Sequence, residues 1–319
     1  MTAVSIHQAA RDPASLHQEV LAGLTATPRT LPPKLFYDRR GADLFEKICD
    51  LPEYYLTRSE LAILRSSAAD IGRLAGPGCA VVEYGSGAGI KIRILLDALR
   101  SPSAYVPVDI SSAQLAEVAS EIRGEYPAIA VLTVNADYTL RFALPRLPAT
   151  VRRRIAFFPG STIGNFHPAE AVAFLSRVRQ AVGPSGALLV GVDRVKSRAA
   201  LEAAYNDSAG VTAEFNRNIL RRINRDLDAD FDVESFEHVA FFNSDESRIE
   251  MHLRARETQI AHVCGTEVAI AAGETIWTES SYKYSEESLR NLASRSGFKL
   301  SRLWTDGAAQ FYVAWLISS

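Results

Sequence analysis

The run Val81–Gly89, VVEYGSGAG, spaces three glycines two apart, Gly85, Gly87 and Gly89, between an apolar stretch and the helix-like IKIRILLDALR. A loop of that composition takes positive φ readily and lets a ligand approach the backbone, while the following helix offers unpaired N–H groups. The next apolar run, AYVPVD, ends in Asp109, twenty residues beyond Gly89, where a carboxylate can accept both hydroxyl hydrogens of a ribose. The loop alone also fits a nicotinamide-dependent dehydrogenase or a turn that binds nothing. The dinucleotide pattern G-x-G-x-x-G, however, wants a glycine at the position of Ile90. Other chemistries have less to start from. The histidines (His7, His17, His167, His238, His252, His262) are scattered, and none forms a recognisable triad with a serine. Cys49, Cys79 and Cys264 lie too far apart to spell a disulfide framework or a zinc site, and no His/Asp cluster has ligand spacing, so no metal is expected.

The elements that must hold these residues follow from pattern. A chain of 319 residues corresponds to two domains or one enlarged one. Its 47% hydrophobic and 23% charged residues describe a globular protein, and a net charge of -2 leaves no positive field for nucleic acid. Arg11, Asp12 and Glu19 interrupt any leader-like apolar run, which makes the cytoplasm the expected location. The most apolar stretch, AVGPSGALLVGV, is too short to span a membrane. Apolar runs alternate with helical segments, with strands expected near 79–84, 104–109, 129–135, 154–159 and 186–192. That rhythm predicts an α/β, doubly wound parallel sheet. The first sixty residues read as helical pieces and not as sheet. Thr57 and Glu60 read as the capping box of a long helix. Beyond Asp193 the rhythm changes to helices over 198–227 and strand-like alternation over 234–278. FKLSRLWTD and QFYVAWLI predict a terminal hairpin on the sheet edge.

The form E-x-G-x-G-x-G, with Glu83 two residues before Gly85, resembles motif I of class I S-adenosylmethionine-dependent methyltransferases. The resemblance implies S-adenosylmethionine as methyl donor, held by Gly85, Gly87 and Lys91, with Asp109 on the ribose and Asp137 and Tyr138 on the adenine. Further phrases, PKLFYDRRGADLFEKICDLPEYYLTRSE, FFPGSTIGNF, YNDSAGVTAEFNRNIL and EMHLRA, are similar to the histidine-specific N-alpha-methyltransferases of ergothioneine biosynthesis, from about Leu21 to Trp315. That family implies a Rossmann-like class I methyltransferase sheet with a second, smaller substrate domain built from the N-terminal helices and an insertion. The bounds would be 60–195 plus 284–319 for the cofactor domain and 1–59 plus 196–283 for the substrate domain.

The resemblance also implies the reaction: three methyl transfers to the alpha-amino nitrogen of L-histidine, giving the trimethyl betaine hercynine, in a monomer. Matched by phrase, Asn165, Tyr205 and Tyr55 would meet the substrate's carboxylate and amine, and Met251, Glu279 and Ser281 its imidazole. A carboxylate and a hydroxyl two residues apart on a strand share a face and together can read both ring nitrogens. Tyr37 and Phe45 belong near the substrate as well. Tyr37 or water would relay the proton, and Tyr55 and Phe45 would wall the cationic product. Two alternatives remain at this point: a relative acting on another amino acid such as tryptophan, and a non-catalytic cofactor-binding module.

Overall fold

The computed structural model describes residues 7–8 and 13–319; Arg11 and Asp12 lie outside the described residues. In chain order the strands are β1 (His7–Gln8), β2 (Arg29–Thr30), β3 (Cys79–Tyr84), β4 (Ala104–Asp109), β5 (Ala130–Val131), β6 (Val134–Asn135), β7 (Arg153–Phe158), β8 (Ala187–Asp193), β9 (Phe236–Asn243), β10 (Arg248–Ala255), β11 (Gln259–Val263), β12 (Thr266–Ile270), β13 (Thr275–Tyr282), β14 (Phe298–Thr305) and β15 (Phe311–Ser318). The α-helices are α1 (Pro13–Thr25), α2 (Arg39–Asp50), α3 (Tyr55–Ala75), α4 (Ile90–Ala98), α5 (Ser112–Glu125), α6 (Pro168–Val182), α7 (Arg198–Ala203), α8 (Val211–Asp226) and α9 (Glu286–Arg295). No helix among the described residues is long and apolar enough to cross a membrane.

The chain divides into two compact units. One comprises Met1–Ala10, Leu56–Val195 and Tyr284–Ser319, where of the first stretch only His7 and Gln8 are described; the other comprises Arg11–Tyr55 and Lys196–Lys283.

The first unit is built on a sheet of order β1-β6-β4-β3-β7-β8-β15-β14, with β5 also on β4. It is parallel from β1 to β8, and β15 and β14 run antiparallel as the expected edge hairpin. Every residue of β3 and β8 is buried, which is why CAVVEY and ALLVGVD read as unbroken apolar runs and not as alternation. From β3 the chain winds outward through β4 to β6, then returns to β7 on the other side of β3. The order of this Rossmann-like sheet therefore reverses between β3 and β7, and the carboxyl ends of β3, β4 and β7 open at the switch point, where such sheets bind ligands.

Three expectations needed correction. The strand foreseen over 129–135 is two short pieces, β5 and β6. Leu132 N bonds Tyr105 O, so alternate residues of β4 face this neighbour, and the next one, Pro107, has no N–H to continue the ladder. The N-terminal segment does enter sheets, β1 pairing in parallel with β6 and β2 with β13. The capping box of Thr57 and Glu60 does not form, because α3 already begins at Tyr55 and Glu60 is turned inward, 1% exposed.

The second unit has a sheet of order β2-β13-β10-β9 and a separate hairpin, β11-β12. Phe215 of α8 stacks on Phe36 at 4.5 Å between ring centroids and packs against Phe45 of α2 at 6.0 Å. Asp38 starts α2 by accepting from Gly41 N at 2.8 Å. Met251 faces Glu279 and Ile249 faces Ser281, but His252 faces Trp277, so Thr278 is an extra residue in a β-bulge. The register sets Met251, Glu279 and Ser281 on one face of the sheet.

Candidate functional site

In the first unit β3 runs into the glycine loop, and Gly85 N bonds Val108 O at 2.9 Å. Gly85, Gly87 and Gly89 have φ of 78°, 47° and 72°, in the left-handed region that favours glycine. A Cβ on Gly87 would meet nothing within 4 Å and one on Gly85 only the Tyr138 ring at 3.8 Å, so the loop leaves open the space a ligand needs. Asp109, at the end of β4, accepts from Ser86 N at 3.0 Å and Ser111 N at 2.9 Å. These bonds fix the carboxylate beside the loop, and burial still raises its pKa. Ser86 Oγ, 3.4 Å away, and the Ile110 backbone also point at this carboxylate, so a ribose hydroxyl would take the place of one of these longer contacts. Asp137 holds its own turn, Oδ1 accepting from Thr139 N at 2.9 Å, and Tyr138 is packed edge-on against Tyr84 and Phe158 at 6.3 and 5.8 Å. These residues and the cradle fit a nucleoside-bearing cofactor.

After β7 the chain turns through Gly160 (φ 80°) and Ser161 (φ 59°) into a short 3-10 helix, Thr162–Asn165. Ser161 holds this unfavourable conformation with its hydroxyl accepting from Asp193 N at 2.9 Å. Asn165 is half-buried, and its amide makes no hydrogen bond to another described residue. Behind this turn lies Glu60, which the sequence reading assigned to a cap. Its carboxylate accepts from Gly160 N at 3.0 and 2.9 Å and pairs with Lys91 Nζ at 2.6 Å. Glu83, also buried, bonds Tyr105, and burial pushes its pKa up to about 8.

In the second unit the structure brings together Tyr37, Phe45, Tyr205, Met251, Glu279 and Ser281. Rings of Tyr37 and Phe45 meet edge-on at 5.9 Å, and Tyr54 bridges Phe45 (6.3 Å) and Tyr205 (6.4 Å). Tyr54, next to the expected Tyr55, was missed; the doubled tyrosine of PEYYLT was the only hint. Tyr55 sits under Lys196, whose Nζ is 4.1 Å from its ring centroid and donates to its hydroxyl. The Tyr205 hydroxyl donates to Ser281 Oγ at 2.8 Å, and Lys283 Nζ donates to both oxygens, at 3.0 and 2.8 Å. Lys283, 3% exposed, was also missed, although its spacing from Ser281 puts it on the same strand face in a regular strand. His238 Nε2 donates to Tyr205 O at 2.8 Å, and Asn216 donates to its Nδ1 at 2.9 Å, which fixes the neutral tautomer. Glu279 is 8% exposed, and its carboxylate makes no hydrogen bond to another described residue; burial raises its pKa to about 7 against the pull of Lys283. Among the described residues no cluster of His, Cys, Asp and Glu could hold a metal ion.

The residues expected at the cofactor thus lie on the first unit and those expected at the substrate, Asn165 apart, on the second. The family described as "Histidine-specific methyltransferase, SAM-dependent" matches residues 16–318. A histidine N-alpha-methyltransferase of Mycolicibacterium smegmatis is 46% identical over 93% of both chains. Ergothioneine biosynthesis protein 1 of Neurospora crassa is 30% identical over 88% of this chain and 32% of its own length. Among solved structures, the mitomycin 7-O-methyltransferase MmcR aligns with a TM-score of 0.45 at 14% identity, over 97% of this chain and 74% of that one. With a nucleotide-sized cradle at its switch point, a family match over residues 16–318 and a 46% identical relative, the chain belongs to the histidine-specific, S-adenosylmethionine-dependent methyltransferase family.

Proposed function

We propose that the protein transfers three methyl groups in succession from S-adenosylmethionine to the alpha-amino nitrogen of L-histidine, giving hercynine. The observation that carries the substrate is the pair Glu279 and Ser281. Ser281 Oγ accepts from both Tyr205 and Lys283, which occupies its lone pairs and directs its own hydrogen outward. Beside it Glu279 is an acceptor with no donor from the protein. One outward donor and one buried acceptor complement a neutral imidazole, whose ring has one bare nitrogen and one N–H. An indole supplies an N–H but no nitrogen acceptor.

When bound, the cofactor supplies a methyl group on a sulfonium, an excellent leaving group, so the protein's task is orientation. Gly85, Gly87, Lys91, Asp109, Asp137 and Tyr138 would hold it. The Asn165 amide offers both a donor for the substrate carboxylate and an acceptor for its amine. We assign Tyr55, held by Lys196, to the same end of the substrate. The attacking amine must be neutral, and an α-amino group of pKa about 8 needs only a small shift, with water or Tyr37 taking the proton. The aromatic group of Tyr37, Phe45 and Tyr54 suits a nitrogen that becomes a fixed cation.

Incubation with S-adenosylmethionine and all twenty amino acids, read by mass spectrometry, tests the proposal. Histidine carrying one, two and then three methyl groups is the expected result. Methylation of another amino acid, or accumulation at the monomethyl stage, would overturn it.

A further inference from the structure

We propose that Glu60 is a positioning residue serving both reactants: its carboxylate holds the Lys91 ammonium beside the glycine loop and, through the Gly160 amide, the turn that carries Asn165. This rests on the reading of Lys91 as a cofactor residue and Asn165 as a substrate residue. A carboxylate 1% exposed persists as an anion only where it is paired and hydrogen-bonded. Here the partners come from two separate places, Lys91 in the first turn of α4 and the backbone of Gly160 beyond β7. β8 makes room for it. A Cβ on Gly191 would stand 1.9 Å from Glu60 Oε1 and 2.9 Å from its Cδ, so the carboxylate occupies the volume that the glycine leaves. A Cβ on Gly160 would lie 3.5 Å from Lys91 Nζ, which shows how closely the turn and the lysine approach.

A buried ion pair is a poor stabiliser compared with apolar residues of the same volume, so packing alone gives no reason for one here. Its location gives one. Glu60 engages one of the three Lys91 N–H donors and leaves the others for a carboxylate such as that at the amino-acid end of S-adenosylmethionine. The same side chain fixes Gly160 five residues before Asn165.

The two tasks separate by substitution. Glu60→Gln keeps a carbonyl acceptor for Gly160 but loses the charge facing Lys91, whereas Glu60→Ala loses both. Calorimetry with S-adenosylhomocysteine and histidine KM at saturating cofactor give the two readouts, with melting temperature as a check on folding. Glu60→Gln is expected to weaken S-adenosylhomocysteine about tenfold, a charge-assisted bond's worth, and to leave histidine KM within about twofold. Glu60→Ala should weaken the cofactor equally and also raise histidine KM about fivefold or more. Gly191→Ala should reproduce the cofactor defect by displacing the carboxylate. Lys91→Met should match Glu60→Gln, and the double variant should be no worse than either by more than about twofold, since coupled residues are non-additive. Wild-type cofactor affinity in Glu60→Gln beside a weakened Lys91→Met, or additive losses in the double variant, would overturn the role of Glu60 alone. Undiminished affinity in Lys91→Met would overturn the cofactor reading of Lys91, and the proposal with it.

Discussion

In the proposed reaction a single side chain, Glu279, sets selectivity. A buried carboxylate without a donor is costly, and a substrate that brings an N–H relieves that cost while one that lacks it does not. Glu279→Ala is therefore expected to raise histidine KM by about tenfold or more, equivalent to some 1.4 kcal/mol, and to narrow the preference over phenylalanine. Steady-state kinetics on both substrates checks this, and an unchanged KM would detach Glu279 from the imidazole. Ser281→Ala should act in the same direction more weakly, a neutral hydroxyl being the lesser partner. With Asp109 proposed as the acceptor for two ribose hydroxyls, Asp109→Ala should weaken S-adenosylhomocysteine by about 1.5 to 3 kcal/mol for each bond lost, read by calorimetry. The placement of Asp109 and Glu279 was legible in the sequence because one ends a strand after a glycine loop and the other stands two residues from a hydroxyl. That of Glu60 and Lys283 was not. A glutamate three residues from a threonine reads locally as a cap, and nothing local reveals that Gly160, a hundred residues away, and Lys91 await it. A lysine just past a strand reads as solvated until the fold buries it.

Among the elements, the glycine loop carries the most direct test. Gly87→Ala places a methyl where no protein atom stands within 4 Å, so it costs only the strain of its left-handed φ, about 1 to 2 kcal/mol. The expected outcome is a small fall in melting temperature and a larger loss of S-adenosylhomocysteine affinity. Equal affinity would mean that the open side of the loop faces no ligand. The long strands were readable because burial on both faces writes continuous apolar runs. The interruption between β5 and β6 was not read, although its cause, Pro107, lies in the neighbouring strand. The bulge at Thr278 was equally hidden, since a register shift depends on the partner strand. It sets Trp277 opposite His252 while Glu279 stays opposite Met251.

For the molecule as a whole, buried titratable groups act on stability with opposite signs. Glu279 keeps its proton to about pH 7 when folded but releases it near 4.5 when unfolded, so its contribution weakens as pH rises from 4.5 through 7. His238 and His252 have pKa values lowered from 6.5 by burial, so their contribution is present above 6.5 and is lost as pH falls below it. Comparing wild type with Glu279→Gln cancels the histidine terms. The variant's melting temperature should gain on the wild type's as pH climbs from 5 to 7.5 and then hold a constant lead, and a flat difference would refute the raised carboxyl. The path of the chain carries one last consequence. At the point where residues 196–283 depart from and rejoin the first unit, Tyr284 N bonds Asp193 O at 2.8 Å and Val195 N bonds Tyr284 O at 3.2 Å. Departure and return are thus hydrogen-bonded neighbours on one framework. A gap so narrow can be closed by a handful of residues at little entropic cost, so residues 196–283 enter the first unit as a removable insertion: excising them would leave every strand of its sheet in place, while Arg11–Tyr55, the other part of the second unit, would lose its strand partner β13.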